Sequence, residues 1–559
     1  MDASSPDSPT ATDWVEAVPL ARLQTSAAQA TKLRGRQVAL FLHQGSVLAC
    51  NNRCPHEGYP LCEGTLDATG VLTCQWHNWK FDLASGTNLY GGDALRTYPT
   101  RVLNGAVWVD LAEPPPGQRI AQALARLDEA RADHDPPRIA RELARLERAG
   151  ASIDAALAHA IVHTHERLRY GMTHAYAAAE AWLRLRDGLA DAAQRLACGT
   201  EALAYIGLDT LREPAYPFGT GERAWNGAEF LAAIEAQDET AAAQLLRGAI
   251  GSGIDMATLE PALATAALAH YNDFGHSLIY LSHLLKLTLR LDASARLPLL
   301  LAWMRSLVHA TREDLLPDFK AYAPALAEWP LAGAGVGDAH ASAQAAPPEP
   351  AGERFAHVDA AAFEGASVRA TLAATLDAAR RHPPAQVWPA LMEAGAHHLL
   401  RFDGPRALRT HNPVTDDIGW LDFSHALTFG HAVREFCRCT PALWPQGLLQ
   451  MALFVGRNTP HLAAGVASAD ARAAWAVHDA AAFDSAAQAQ IIDHGLGLPI
   501  FPAHWLKTWL AVRDTVGLGV PESTAAALRA AARCLLAVNF KQRHALRTAT
   551  QALKFVERE

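Results

Sequence analysis

The stretches CPHEGYP (54–60) and CQWHNWKFD (74–82) decide how the N-terminal part of this chain is read. Each brings one thiol and one imidazole, as Cys54-x-His56 and Cys74-x-x-His77, with residues 57–73 between them. A binuclear iron–sulfur cluster of mixed ligation needs two thiolates on one iron and two neutral imidazoles on the other, delivered by two facing loops. A zinc ion on the same two cysteines and two histidines is the alternative, since a tetrahedral S₂N₂ set also suits zinc. Gly58 allows close backbone approach in the first loop, and WKFD resumes a strand after the second.

Outward from these loops, residues 14–111 carry short β-branched runs (QVALFL, SVLACN, VLTCQW, AVWVDL) separated by turn residues such as Gly45, Gly70, Gly86 and Gly105. That rhythm predicts a compact all-β unit. At AEPPPGQ (112–118) three prolines end it, and Ala/Leu/Arg-rich segments with apolar residues three and four apart follow, as in RIARELARLERA and HSLIYLSHLLKLTLRL. The expected fold class is therefore multidomain, a small all-β domain followed by a large all-α domain. The expected division is a flexible tail at 1–12, the β domain at 13–111, a linker with connecting helices at 112–150, and an all-helical catalytic domain at 151–559. Low-complexity residues 331–352 are expected to form a mobile loop in the last of these.

The Cys-x-His and Cys-x-x-His strings with W-H-x-W-x-F-D resemble the Rieske [2Fe-2S] domain over residues 13–111. Respiratory members carry an extra cysteine in each loop, where this chain has Tyr59 and Trp76, so the resemblance is to the ferredoxin and oxygenase branch. It implies a [2Fe-2S] cluster on Cys54, His56, Cys74 and His77, with Cys50 and Cys62 outside the ligand set. It also implies electrons from NAD(P)H through a separate reductase, since no G-x-G-x-x-G follows a strand here.

A Rieske domain moves electrons and needs an acceptor. The helical part contains an internal repeat, DFGHSLIY (273–280) against DFSHALTF (422–429), with weaker echoes in THAYAAAEAWL (173–183) and RHALRTATQAL (543–553). Four helices would then each present one histidine, His174, His276, His425 and His544, to a bundle core, where imidazole suits iron, zinc or copper. His283 lies seven residues after His276, about 20° away on the same face, and joins the candidate set. His431 falls on a different face from His425. His159 and His163 share a face without support from the repeat, and hydrogen-bonded core histidines are the plainer reading of each position alone. Asp273 and Asp422 are placed to cap helices, or to act as ligands. Trp303, Trp420 and Trp444 read as core, and Cys437 and Cys439 as structural.

HSLIYLSH (276–283), SHALTFGHAVREF (424–436) and HALRTATQALKFVE (544–557) resemble the questin oxidase-like family, all-helical proteins that oxidise aromatic polyketides, including Baeyer–Villiger and ring-opening reactions. This resemblance would cover about 150–559. The family's HAIK-like string stands here as His544-Ala-Leu-Arg547, with Lys541 the nearby lysine.

The 559 residues hold 49 basic and 58 acidic side chains, a net charge of −9, and only 19% are charged, which argues against a nucleic-acid partner or a long disordered chain. No apolar run approaches the ~18 residues of a spanning helix, and the start lacks a signal's basic and apolar blocks, so a cytoplasmic protein without a membrane partner is expected. The combined expectation is an O₂-dependent oxygenase. Its cluster feeds a mononuclear iron on the helical histidines, where an apolar substrate, polycyclic aromatic or polyketide by the resemblance, is oxidised. Rieske oxygenases often pass electrons between subunits, which admits a homo-oligomer. The rivals are an electron carrier whose helical part is a docking module, and a metal-free helical site using histidine for acid–base chemistry.

Overall fold

The computed structural model describes residues 13–329, 358–365, 367–404, 418–538 and 540–559, apart from the side chains of Asp273 and Asp318. The tail at 1–12 and the loop at 331–352 lie outside the described residues. Two compact units divide the chain: one contains the described part of Met1–Ala130 with Asp135–Ser152 and Thr548–Glu559, the other Arg131–His134 and Ile153–Arg547.

A small β domain opens the first unit, as its strand rhythm predicts. Strands β1 (Trp14–Pro19), β2 (Ala28–Leu33), β3 (Arg36–His43), β4 (Ser46–Asn51), β5 (Thr65–Leu66), β6 (Val71–Thr73), β7 (Lys80–Asp82), β8 (Thr97–Tyr98), β9 (Thr100–Leu103) and β10 (Ala106–Asp110) form three antiparallel sheets, ordered β1-β10-β9, β2-β3-β4-β8 and β5-β6-β7. The β2–β3, β3–β4 and β9–β10 hairpins turn on Arg34-Gly35, Gln44-Gly45 and Asn104-Gly105, each pair at positive φ, the backbone that two-residue hairpins require. β3 is apolar on both faces because it serves two cores. Val38 and Leu40 face one with Val47, Val107 and Val109, while Ala39 and Phe41 face another with Cys50, Leu72 and Phe81. Cys54 and Cys74 belong to the second core, so the strand alternation determines which side of the sheet the ligand loops sit on.

Helices Pro116–Ala132 and Pro136–Arg148 follow. Asp135 caps the second through the Arg138 N–H, with Pro136 in the first turn. Arg141 and Arg145 of this helix hold Asp93, which is 1% exposed, in a network that also includes Glu142 and Glu559. Burial pushes the Asp93 carboxyl up, but the two guanidiniums outweigh it and hold it below the usual carboxylate range. Asp93→Asn is expected to cost about 3–5 kcal/mol at pH 7, because it leaves buried guanidiniums short of an anion. The depressed value puts this contribution above pH ~4, and acidification through the folded-state value removes it. Urea unfolding at pH 7 should separate the two proteins, and below pH ~4 the difference should shrink.

The second unit is predominantly helical over its described residues, and no described helix is long and apolar enough to cross a membrane. Four of its helices position the candidate histidines: His174–Asp187, Asn272–Arg290, Trp420–Cys439 and Ile500–Gly517. In that order each packs on the next, and the last packs on the first, closing a four-helix ring. Gly275, at φ +74°, permits one of these contacts, since a Cβ there would stand 2.3 Å from the Phe429 ring.

Candidate metal centres

The two loops of the β domain close in the same way. The Cys54 N–H donates to Tyr59 O at 2.9 Å and the Gly58 N–H to Cys54 O at 2.7 Å; the Cys74 N–H donates to Trp79 O at 2.8 Å and the Asn78 N–H to Cys74 O at 3.0 Å. The fourth residue after each cysteine is left-handed, Gly58 at φ +79° and Asn78 at φ +61°, residue types that tolerate this backbone. A Cβ on Gly58 would meet the Arg53 guanidinium at 2.9 Å.

Both cysteines are buried, whereas His56 and His77 are exposed with their Nδ1 atoms 3.1 Å apart. Trp79 stacks on the His56 ring at 4.6 Å and Trp76 on His77 at 5.6 Å, which fixes the ring planes. Burial pushes the Cys54 thiol up to about 12, with Cys74 close enough to add to the effect. A thiol so placed becomes a thiolate when a cation is bound. Two sulfurs inside and two imidazoles at the surface fit the mixed set expected of a [2Fe-2S] group.

In the second unit, His174, His276 and His425 come together as the repeat predicts, and each lies in the first two turns of its helix. The fourth member is His504. His425 Nε2 lies 2.9 Å from His276 Nε2 and 3.1 Å from His504 Nε2. The His174 ring centre is 4.7 Å from that of His276 and 4.5 Å from that of His504. Ligand nitrogens of His174, His425 and His504 all fall within 4.8 Å of one another, a set that could hold a metal ion.

The tautomer of His504 is decided by its partner. Its Nδ1 is 2.7 Å from the Ile500 carbonyl, which can only accept, so the proton is on Nδ1 and Nε2 offers a lone pair toward His425. His425 Nε2 has at most one proton for two facing nitrogens, and a cation among the lone pairs satisfies all three better. Burial holds His174, His425 and His504 well below the usual imidazole range, and neighbouring positive groups push the same way. Neutral imidazole is the ligating form. Lys507, 2% exposed, places Nζ 3.0 Å from His174 Nδ1, and burial pushes its ammonium down to about 7. Aromatic rings surround the group: Tyr280 at 5.3 Å from His276, Trp420 at 6.4 Å from His504 and Phe274 at 6.5 Å from His425.

Two expected ligands are corrected. His544 precedes the helix Ala545–Glu557, donates its N–H to His494 O at 3.2 Å, and has its ring 5.7 Å from that of His494. His283 shares a face with His276 but lies about 10.5 Å further along the axis, where its Nδ1 is 2.5 Å from Glu180. His431 meets Thr515 at 3.2 Å, and His163 donates to the His159 carbonyl at 2.8 Å. Asp422 acts at a helix start, accepting the Gly419 N–H at 2.9 Å, while the Asp273 side chain lies outside the described residues. Trp303 and Trp444 are core, Cys437 is buried and Cys439 exposed. Lys541 is exposed, and the lysine beside the histidines is Lys507.

Residues 13–99 match the Rieske [2Fe-2S] domain family. The 3-phenylpropionate/cinnamic acid dioxygenase ferredoxin subunit of Escherichia coli O139:H28 is 36% identical over 81 residues, 14% of this chain and 76% of that protein. The 4beta-methylsterol monooxygenase of Methylococcus capsulatus is 30% identical over 105 residues, 17% of this chain and 28% of that protein, so this chain spans little more than a quarter of that relative. Among solved structures, the ferredoxin of carbazole 1,9a-dioxygenase from Nocardioides aromaticivorans IC177 is 26% identical, with 18% of this chain and 97% of that one covered and a TM-score of 0.17.

Proposed function

The chain belongs, through residues 13–99, to the Rieske [2Fe-2S] family, and on that premise we propose that it is an oxygenase. In this reading the cluster on Cys54, His56, Cys74 and His77 serves an iron on His174, His276, His425 and His504, where an apolar organic substrate is oxidised with O₂. When bound, the cluster supplies electrons one at a time and the iron a site where dioxygen is reduced.

The remaining roles belong to the chain's own side chains. Cys54 and Cys74 hold the cluster from the interior, and the exposed His56 and His77 form its outward face, open to an electron donor. The Ile500 carbonyl keeps the His504 proton on Nδ1 and its lone pair turned inward. Tyr280, Phe274 and Trp420 keep water from the histidines and present rings to an aromatic substrate. The resemblance to questin oxidase-like proteins favours a polycyclic aromatic or polyketide substrate. Electrons come from a separate NAD(P)H-dependent reductase, the protein acts as a homo-oligomer, and its place is the cytoplasm.

The observation that carries this reading is the meeting of His276, His425 and His504 through Nε2 atoms, with the His504 proton held elsewhere. It is tested by reducing the protein without oxygen, then mixing it with O₂ and following cluster absorbance. Reoxidation should be about tenfold or more faster in the wild type than in a His276→Ala, His504→Ala protein. Equal rates would remove the helical centre as the electron acceptor.

A further inference from the structure

Within the N-terminal unit, neither centre accounts for a cavity of about 580 Å³, a size that takes a small organic ligand. Five guanidiniums line it, those of Arg96, Arg119, Arg126, Arg145 and Arg148, against three carboxylates, Asp110, Glu113 and Glu559. The carboxylates are already engaged. Glu113 pairs with Arg36 and Arg96, Glu559 with Arg145, and Asp110 accepts the Ala112 N–H at 2.9 Å. Arg145 is also held by Asp93 and Glu142, and Arg148 donates to the Val556 carbonyl.

Arg119 and Arg126 form no ion pair with an acidic side chain among the described residues; Glu142, whose carboxyl feels Arg126, pairs with Arg145 through Oε1 and leaves Oε2 without a hydrogen bond. Seven residues apart on the helix Pro116–Ala132, the two share one face, about 10.5 Å apart along the axis. The Arg119 Nε is buried without a hydrogen-bond partner, and so is the hydroxyl of Tyr98, a residue 6% exposed that lines the same cavity. Buried donors without acceptors are costly in a finished fold, and two on residues lining one cavity point to an anionic ligand.

We propose that this cavity binds a small organic phosphate. Its oxygens accept from Arg119, Arg126 and the Tyr98 hydroxyl, and its apolar body lies against Leu95, Pro99 and Val556. A phosphate has enough oxygens for three donor groups, whereas a carboxylate has two.

The test is calorimetric titration of the whole, cluster-containing protein with phenyl phosphate, and with benzoate in a second arm. Phenyl phosphate should bind, and the Arg119→Gln, Arg126→Gln protein should bind it about tenfold or more weakly with unchanged cluster absorbance, which reports the fold. Tyr98→Phe should weaken binding about threefold. Equal binding by wild type and the double variant, tighter binding of benzoate than of phenyl phosphate, or no binding of phenyl phosphate at concentrations on the order of 1 mM would each overturn the proposal.

Discussion

His425→Ala is expected to lose one iron per chain, to keep the two of the cluster, and to lower O₂-dependent turnover by at least about 100-fold. His425 is the member whose Nε2 stands within hydrogen-bond distance of two others, 2.9 Å from His276 and 3.1 Å from His504, so its removal takes away the nitrogen on which the group converges. The substitution also leaves an unfilled space in a buried part of the bundle, which by itself could lower stability. His431→Ala separates the two effects. It lies on the same helix, touches Thr515 at 3.2 Å and stands outside the group, so it should keep the full iron content. Iron analysis with the visible spectrum reads both proteins.

The second large effect is expected from Cys74→Ser. Cys74 is 1% exposed in a core that includes Phe41, Leu72 and Phe81. Serine is a poor ligand there and leaves a hydroxyl among apolar side chains. Cluster absorbance should disappear, and electron supply to the helical centre with it, lowering turnover by at least about 100-fold. The β domain should unfold at lower urea, since cluster binding is part of its folding free energy. The helical unit has its own core and its own candidate metal, and should keep its unfolding transition.

Much of the β domain was legible because its ligands are local. Both loops lie within residues 54–82, each with its cysteine, its histidine and a residue suited to left-handed backbone four places on. The bundle was legible in part. DFGH and DFSH announce His276 and His425 through a shared prelude, and a weaker echo reaches His174. His504 sits in PIFPAHWLKTWL without that prelude, so a search for self-similarity passes over it and settles on His544. A different signal was present: His504 and Lys507 are basic residues three apart in the otherwise apolar run 499–507, a costly placement unless both have partners. The pairing of His283 with Glu180 joins residues 103 apart in sequence, and no local pattern reports it. For the same reason, nothing local announces that residues 548–559 pack in the N-terminal unit.

The central claim is that the helical histidines hold an iron independent of the cluster. It is tested most directly by iron analysis of the Cys74→Ser protein purified without oxygen, in which the cluster can no longer contribute. One iron per chain with nitrogen ligation in its X-ray absorption is the result this account predicts; a protein that folds normally and holds no iron would contradict it.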